Sequence, residues 1–217
     1  MVVQSDVFWK AFIVTLVIFI TGILMGFWID DQRVQEIRAE YKEMDIRVND
    51  ARMQALYYQV FRNSSNFCGP AIEENLKFAD KVYAEGIKLE QYERVNKLTP
   101  SLVTDKRRYI LLKLQFWLNC IELKRTCNAN YTNLVYFYSH YNTTMEDYVQ
   151  GAALSDFKTE CGRNIMLIPL PTDLNITTID ILKKQYNITV TPTLLIDEAE
   201  KVEGLVGVDS LREHVRC

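Results

Sequence analysis

An uncharged apolar run near the amino terminus restricts this chain more than any other feature. It covers residues 11–29 and reads AFIVTLVIFITGILMGFWI. As a helix rising about 1.5 Å per residue, the run nearly crosses a hydrocarbon core of about 30 Å. Phe8 and Trp9 precede it and Phe27 and Trp28 lie at its end, and such rings favour the headgroup level of a bilayer. The sequence therefore predicts one transmembrane helix within an anchor segment of residues 1–29.

A cleaved signal peptide is the alternative interpretation of this run. The apolar regions of signal peptides are shorter, and no pattern of small residues typical of a cleavage site follows the run. The sequence therefore favours a retained signal-anchor. Lys10 precedes the run and acidic residues follow it, which weakly favours a cytoplasmic amino terminus.

Asparagine sequons suggest where the rest of the chain lies. Five Asn-x-Ser/Thr motifs follow the run, where roughly one would arise by chance from this composition. The sequon asparagines are Asn63, Asn130, Asn142, Asn175 and Asn187. All five cysteines also follow the run, without metal-type spacing, which is typical of a disulfide-forming compartment. We therefore expect a single-pass cell-membrane glycoprotein with N-linked glycans and extracytoplasmic domains, unless the sequons are accidental.

Two glycines four residues apart lie inside the predicted anchor. Gly22 and Gly26 form a Gly-x-x-x-Gly pair, and small residues at this spacing let a second helix approach closely in lipid. The pair predicts a partner helix in the membrane, although glycine is common in such helices.

Residues 30–128 have the pattern of a helical bundle. An apolar seam at three- and four-residue steps follows the anchor, formed by Val34, Ile37, Tyr41, Met44, Val48, Ala51 and Ala55. We expect the seam to pack on later helices of the same chain, the alternative being an intermolecular coiled coil. A second helix is predicted from about Gly69 to 97, and a third from about 102 to 124. Together they predict a small antiparallel bundle.

From residue 129 the spacing of the apolar residues changes, and short continuous apolar runs typical of buried strands alternate with predicted helices. Strands are predicted at 134–138, 164–170, 193–197 and 202–208, with helices at 143–161 and 179–186 and a last helix capped by Asp209. The order is β-α-β-α-β-β-α. The fold class predicted for the whole chain is α+β: a transmembrane helix, an antiparallel helical bundle and a carboxyl-terminal α/β domain.

The segment from Lys184 to Ile196, KQYNITVTPTLLI, resembles the thioredoxin-like superfamily at the point where a helix ends and a proline opens the third strand. Val206 and Gly207 resemble the fourth strand and the glycine after it. The resemblance covers about residues 130–217 and implies a cis Thr191–Pro192 bond, which family members use to present a backbone edge to a partner peptide. It implies partner-binding residues at Tyr141, Asn142, Thr191, Pro192 and Thr193.

One departure from the family decides the functional expectation. Redox-active relatives carry a Cys-x-x-Cys pair where the first strand enters its helix, because the helix amino terminus lowers the pKa of the first thiol. Asn142 and Met145 stand at those two positions here. We therefore expect a redox-inactive domain and no enzyme activity.

The cysteines need another explanation. In the fold that the resemblance implies, we expect a Cys127–Cys161 disulfide at the base of the domain. We also expect Cys68, at the end of the first predicted bundle helix, to pair with Cys120 in the third and so close the bundle. Cys217 is left over, free or intermolecular, and could replace one partner of the first pair. Sequence alone does not fix connectivity, since four cysteines allow three pairings.

Several function classes can be set aside. His140 and His214 are the only histidines, so we expect no multi-histidine metal site and no cofactor. The net charge is −3 with basic residues dispersed, so we expect no nucleic-acid partner. The expected partners are the membrane, other membrane-protein subunits and extended polypeptide.

The leading hypothesis is an accessory subunit of a membrane complex in secretion, protein biogenesis or N-glycosylation, similar to oligosaccharyltransferase subunits. The alternatives are a thiol–disulfide oxidoreductase that uses an atypical cysteine pair, and an envelope protein that self-associates through Gly22, Gly26 and the helix after them. One anchor, many sequons and a lost active site resemble archaeal surface proteins, which favours an archaeal origin.

Overall fold

A computed structural model describes residues 3–95 and 100–215. The chain forms two compact units, Met1–Asp45 and Ile46–Cys217. The helices are α1 (Val3–Phe61), α2 (Cys68–Val95), α3 (Pro100–Cys127), α4 (Met145–Cys161), α5 (Thr177–Gln185) and α6 (Val208–His214). The strands are β1 (Thr132–Tyr138), β2 (Ile165–Pro171), β3 (Thr193–Ile196) and β4 (Glu200–Glu203). This mixed content confirms the α+β class.

The predicted anchor is part of α1. The helix is long and apolar enough to span a membrane from Phe8 to Trp28, close to the predicted bounds. None of that stretch is buried inside the structure, as expected for a segment whose apolar side chains face lipid. Insertion and topology remain predictions.

The carboxyl-terminal part of α1 packs within the second unit. Ala51 and Tyr58 are almost fully buried, while Val48 and Ala55 are half-buried. Tyr58 donates a hydrogen bond to the carbonyl of Ala71 in α2. The predicted intramolecular packing of the seam is therefore confirmed for these positions, whereas the side chains of Val34, Ile37 and Tyr41 lie outside the described residues.

The antiparallel pair α2 and α3 is held in one register. Cys68 and Cys127 form a disulfide at one end. Seven residues further along α2 and seven back along α3, Asn75 donates to the Cys120 sulfur over 3.3 Å. Eleven residues further again in both directions, Gly86 lies against Tyr109, whose hydroxyl would collide with any side chain at position 86. The helices are therefore paired along most of their length.

The sheet has the order β2-β1-β3-β4, with β1 parallel to β2 and antiparallel to β3, and β3 antiparallel to β4. On one face, α4 and α6 cover a core of Leu134, Tyr136, Leu154, Phe157, Leu194 and Leu211. On the other, α3 packs against β2. Burial on both faces explains why the central strand is a continuous apolar run.

The predicted fourth strand is wrong. β4 is Glu200–Glu203, because β3 and β4 are joined by a tight turn at Asp197 and Glu198, both with positive φ, that pairs Ile196 with Glu200. Gly204, at φ 83°, then takes the chain out of the sheet. Val206 and Gly207 therefore lie outside it.

The start of the last helix also differs from the prediction. α6 begins at Val208 with Gly207 at its N-cap position, and Asp209 lies inside the first turn. A carboxylate there still interacts favourably with the helix dipole, but Asp209 is not the cap.

The bundle and the sheet belong to one compact unit. α3 packs on β2, and Lys113 of α3 donates to the carbonyl of Pro169 over 3.1 Å. The division at residues 128 and 129 into separate domains stays a prediction.

Candidate functional site

The loop from β1 to α4 is held by one carboxylate. Asp173, which follows β2, accepts hydrogen bonds from the Ser139 hydroxyl at 2.7 Å and from the backbone N–H groups of His140 and Tyr141 at 2.9 and 2.8 Å. Burial opposes its charged form, yet these donors hold the pKa of Asp173 below its usual value. The loop thus has a fixed shape where β1 ends.

The first turn of α4 is closed by a capping box. The Thr144 hydroxyl accepts from the N–H of Asp147, whose carboxylate accepts in return from the N–H of Thr144. Each satisfies a donor that a helix start would otherwise leave unpaired. Asn142 precedes this box, Met145 lies inside it, and both are exposed. The start of α4 therefore presents an amide and a thioether to solvent.

The Thr191–Pro192 bond is cis, which confirms the prediction. The Thr191 hydroxyl lies 3.4 Å from the Asp147 carboxylate, so the proline loop and the first turn of α4 meet at one end of the sheet. Pro192 and Thr193 are buried, whereas Thr191 is half-buried. Within the described ranges, the backbone N–H and C=O of Thr191 form no hydrogen bond. Of the predicted binding residues, Tyr141, Asn142 and Thr191 are therefore accessible, and Pro192 and Thr193 support them.

Exposed apolar side chains surround this point. Tyr141, Met145, Tyr148 and Val190 are 53%, 76%, 71% and 48% exposed, and we call them, with Thr191, the cis-proline surface. The sequence analysis did not single out Tyr148 and Val190. The three-residue step from Met145 to Tyr148 could have indicated a second apolar face on α4. Exposed apolar clusters of this kind are typical of contact sites.

A charged cluster lies behind the surface. Lys106 of α3 lies 2.5 Å from the Glu93 carboxylate and 3.0 Å from His140 Nδ1. Burial and the neighbouring Lys106 lower the pKa of His140. Burial, with a further contribution from Lys106, lowers the pKa of Lys113 to about 7. Lys113 therefore titrates near neutral pH.

Both predicted disulfides are wrong. Cys127 pairs with Cys68, which excludes Cys127–Cys161 and Cys68–Cys120. The reason is the register of α2 and α3, which places Cys120 seven residues from the bridge, beside Asn75. Cys161 is also disulfide-bonded, and Cys217 lies outside the described residues.

The free thiol of Cys120 is poorly suited to exchange chemistry. Its side chain is fully buried, and burial raises its pKa to about 12. A thiol exchanges through its thiolate, so Cys120 is nearly inert at neutral pH.

The five sequon asparagines all lie outside helices and strands and are exposed. By contrast Asn75, Asn119 and Asn133, which belong to no sequon, are buried. The sequons are therefore accessible, and their glycosylation stays a prediction. The same holds for the Gly22–Gly26 contact, since both positions face open space.

Across residues 3–95 and 100–215, no group of three or more His, Cys, Asp or Glu side chains could hold a metal ion. No family model matches the sequence, and neither does any curated protein.

Three solved structures are similar to part of the chain. A malarial protein is 16% identical with a TM-score of 0.34, over 39% of this chain and 92% of that one. Chloroplastic thioredoxin z is 16% identical with a TM-score of 0.34, over 42% and 80%. Thioredoxin-2, a component of malaria parasite protein secretion machinery, is 18% identical with a TM-score of 0.33, over 39% and 81%. The cis-proline before β3 is the one that the sequence resemblance implied.

Proposed function

We propose that the chain is a membrane-anchored, extracytoplasmic and redox-inactive subunit that binds a partner protein or an extended polypeptide on the cis-proline surface. The observation that carries the proposal is the start of α4, where Asn142 and Met145 replace the thiols of redox-active relatives while the surrounding side chains stay exposed and apolar. A place beside a membrane complex in secretion, protein biogenesis or N-glycosylation would suit such a subunit.

The backbone beside the proline supports a peptide-like partner. The N–H and C=O of Thr191 lie next to exposed side chains, and within the described residues they have no hydrogen-bond partner. An extended segment can pair with such groups while its side chains contact Tyr148 and Val190. Affinity would come from the backbone pairing and specificity from the apolar contacts.

The test is copurification of the full chain from its native membrane in mild detergent. Changing Met145→Glu together with Tyr148→Glu places two charges on the surface, and we expect at least a tenfold loss of the copurifying protein. The matched control is Ile181→Glu on α5, an equally drastic change at a side chain 57% exposed, which should retain the partner. Equal recovery with all variants contradicts the proposal.

The thiol–disulfide alternative requires a reactive cysteine pair. The raised pKa of Cys120 and the Cys68–Cys127 bridge argue against one. Turnover in an insulin-reduction assay that disappears in a Cys68→Ser or Cys120→Ser variant would establish the alternative and remove our proposal.

A further inference from the structure

The part of α1 in the second unit has two apolar faces. Its inner face, with Ala51 and Tyr58, packs on the bundle. At 100° per residue, Ile46, Met53 and Val60 lie on the opposite side, and they are 62%, 63% and 72% exposed. A surface helix normally turns polar residues to water opposite its packed stripe. The outer face of this helix instead exposes apolar side chains at these three positions, with the polar Asn49 and Asp50 between the first two.

The spacing of the outer residues is that of a helix-packing seam. Ile46, Met53 and Val60 are seven residues apart, and Leu56 and Tyr57 lie between the last two on the same side. Apolar residues at alternating three- and four-residue steps form the contact line of a coiled coil. We call Ile46, Met53, Leu56, Tyr57 and Val60 the outer stripe.

The outer stripe continues onto α3. Leu56 and Leu118 line the same groove between α1 and α3, and this groove has a volume of about 480 Å³. Leu118 is 48% exposed. With Phe61 and Leu118, the stripe exposes on the order of 700 Å² of apolar surface, more than the largest patch on a typical monomer and close to the roughly 800 Å² that each partner contributes to a standard interface.

We propose that the outer stripe is covered by the same stripe of a second copy, in a parallel homodimer. The candidate membrane span precedes the stripe on the same chain, so two copies anchored in one membrane carry their stripes close to the same bilayer. Equivalent residues then meet across a two-fold axis, and anchoring raises their effective concentration. This inference is independent of the cis-proline surface.

Cysteine cross-linking of the full chain in membranes tests the contact. A Val60→Cys variant, oxidised with copper phenanthroline, should give a product of twice the chain mass, since position 60 would face its equivalent. The control is Ile181→Cys on α5, an apolar side chain that is 57% exposed and not part of the stripe, and the unsubstituted chain gives the background from native cysteines. A Val60→Cys product of any other mass, or none above background, overturns the proposal.

A second measurement tests how strongly the two copies associate. The mass of the detergent-extracted chain is followed by light scattering against concentration. We expect Met53→Glu with Val60→Glu to weaken dimerisation at least tenfold, whereas Ile181→Glu on α5 should not. The changed side chains are exposed, so the fold should persist, as circular dichroism can verify. A wild-type chain that is monomeric throughout, or a dimer that only Gly22→Leu disrupts, overturns the proposal.

Discussion

The two ends of the central strand differ in how their polar groups are used. At the amino-terminal end of β1, which we call the base, Asp197 binds Lys124 at 2.5 Å and the N–H of Asn133 at 2.8 Å. There too, Glu198 accepts from Trp117 at 2.5 Å and from Asn133 at 3.1 Å. At the carboxyl-terminal end, hydrogen bonds shape the loop, yet Tyr141 and Thr191 remain available to a partner. The base has its polar groups paired internally, whereas the cis-proline end leaves Tyr141 exposed and Thr191 half-buried.

We expect the Cys68–Cys127 bridge to contribute most to the difference in stability between the base and the cis-proline end. It closes a loop with a sequence separation of 59, and a crosslink of that span typically stabilises by about 4 kcal/mol. We expect Cys68→Ser to lower the free energy of unfolding of the detergent-solubilised chain by about that amount, measured by urea denaturation. The Cys127→Ser variant, which removes the same bridge, is the comparison, and a loss below about 1 kcal/mol would contradict this role.

Lys113 should make the stability of the protein rise with pH above neutrality. Its folded pKa lies below the unfolded value, so the unfolded chain binds more protons between about pH 7 and 10, and stability should rise with pH there. We expect Lys113→Met to remove a rise on the order of a few kcal/mol between pH 6 and 9. An unchanged slope would show that the ammonium reaches water.

On acidification, the contributions of the two ends to the free energy of unfolding should change in opposite directions. The pKa of Asp173 is lowered, so its contribution is present above the unfolded pKa and is lost as pH falls through the folded pKa. Burial raises the pKa of Glu198, so its contribution grows on acidification. We expect Asp173→Asn to lower the free energy of unfolding by about 2 kcal/mol at pH 7 and to reduce the further loss of stability on acidification. We expect Glu198→Gln to make that loss on acidification larger. If the two variants lose stability identically on acidification, the proposed difference between the two ends is wrong.

The capping box should have the smallest effect. Thr144→Ala removes the acceptor for the Asp147 N–H, and loss of such a cap typically costs about 1 kcal/mol. We expect faster amide exchange in the first turn of α4 with little change at the base. Thr144→Ser, which keeps the hydroxyl, should behave as wild type.

Sequence patterns predicted the elements with strong local signals. The anchor, the three long helices and the buried strands follow from period and composition, and the cis-proline from the family resemblance. β4 was misplaced because the turn at Asp197 and Glu198 uses non-glycine residues at positive φ, where glycine or asparagine is expected. The disulfides were mispaired because helix register depends on contacts such as Asn75 with Cys120, which no local pattern reveals.

The fixed register of α2 and α3 limits how this chain can change in length. One residue inserted between Cys68 and Asn75 would turn the rest of α2 by about 100°, carrying Gly86 away from Tyr109 while the bridge held the other end. Insertions or deletions in α2 and α3 should therefore be tolerated only when seven residues are added or removed in both helices together. Shorter insertions and deletions should occur only in the loops.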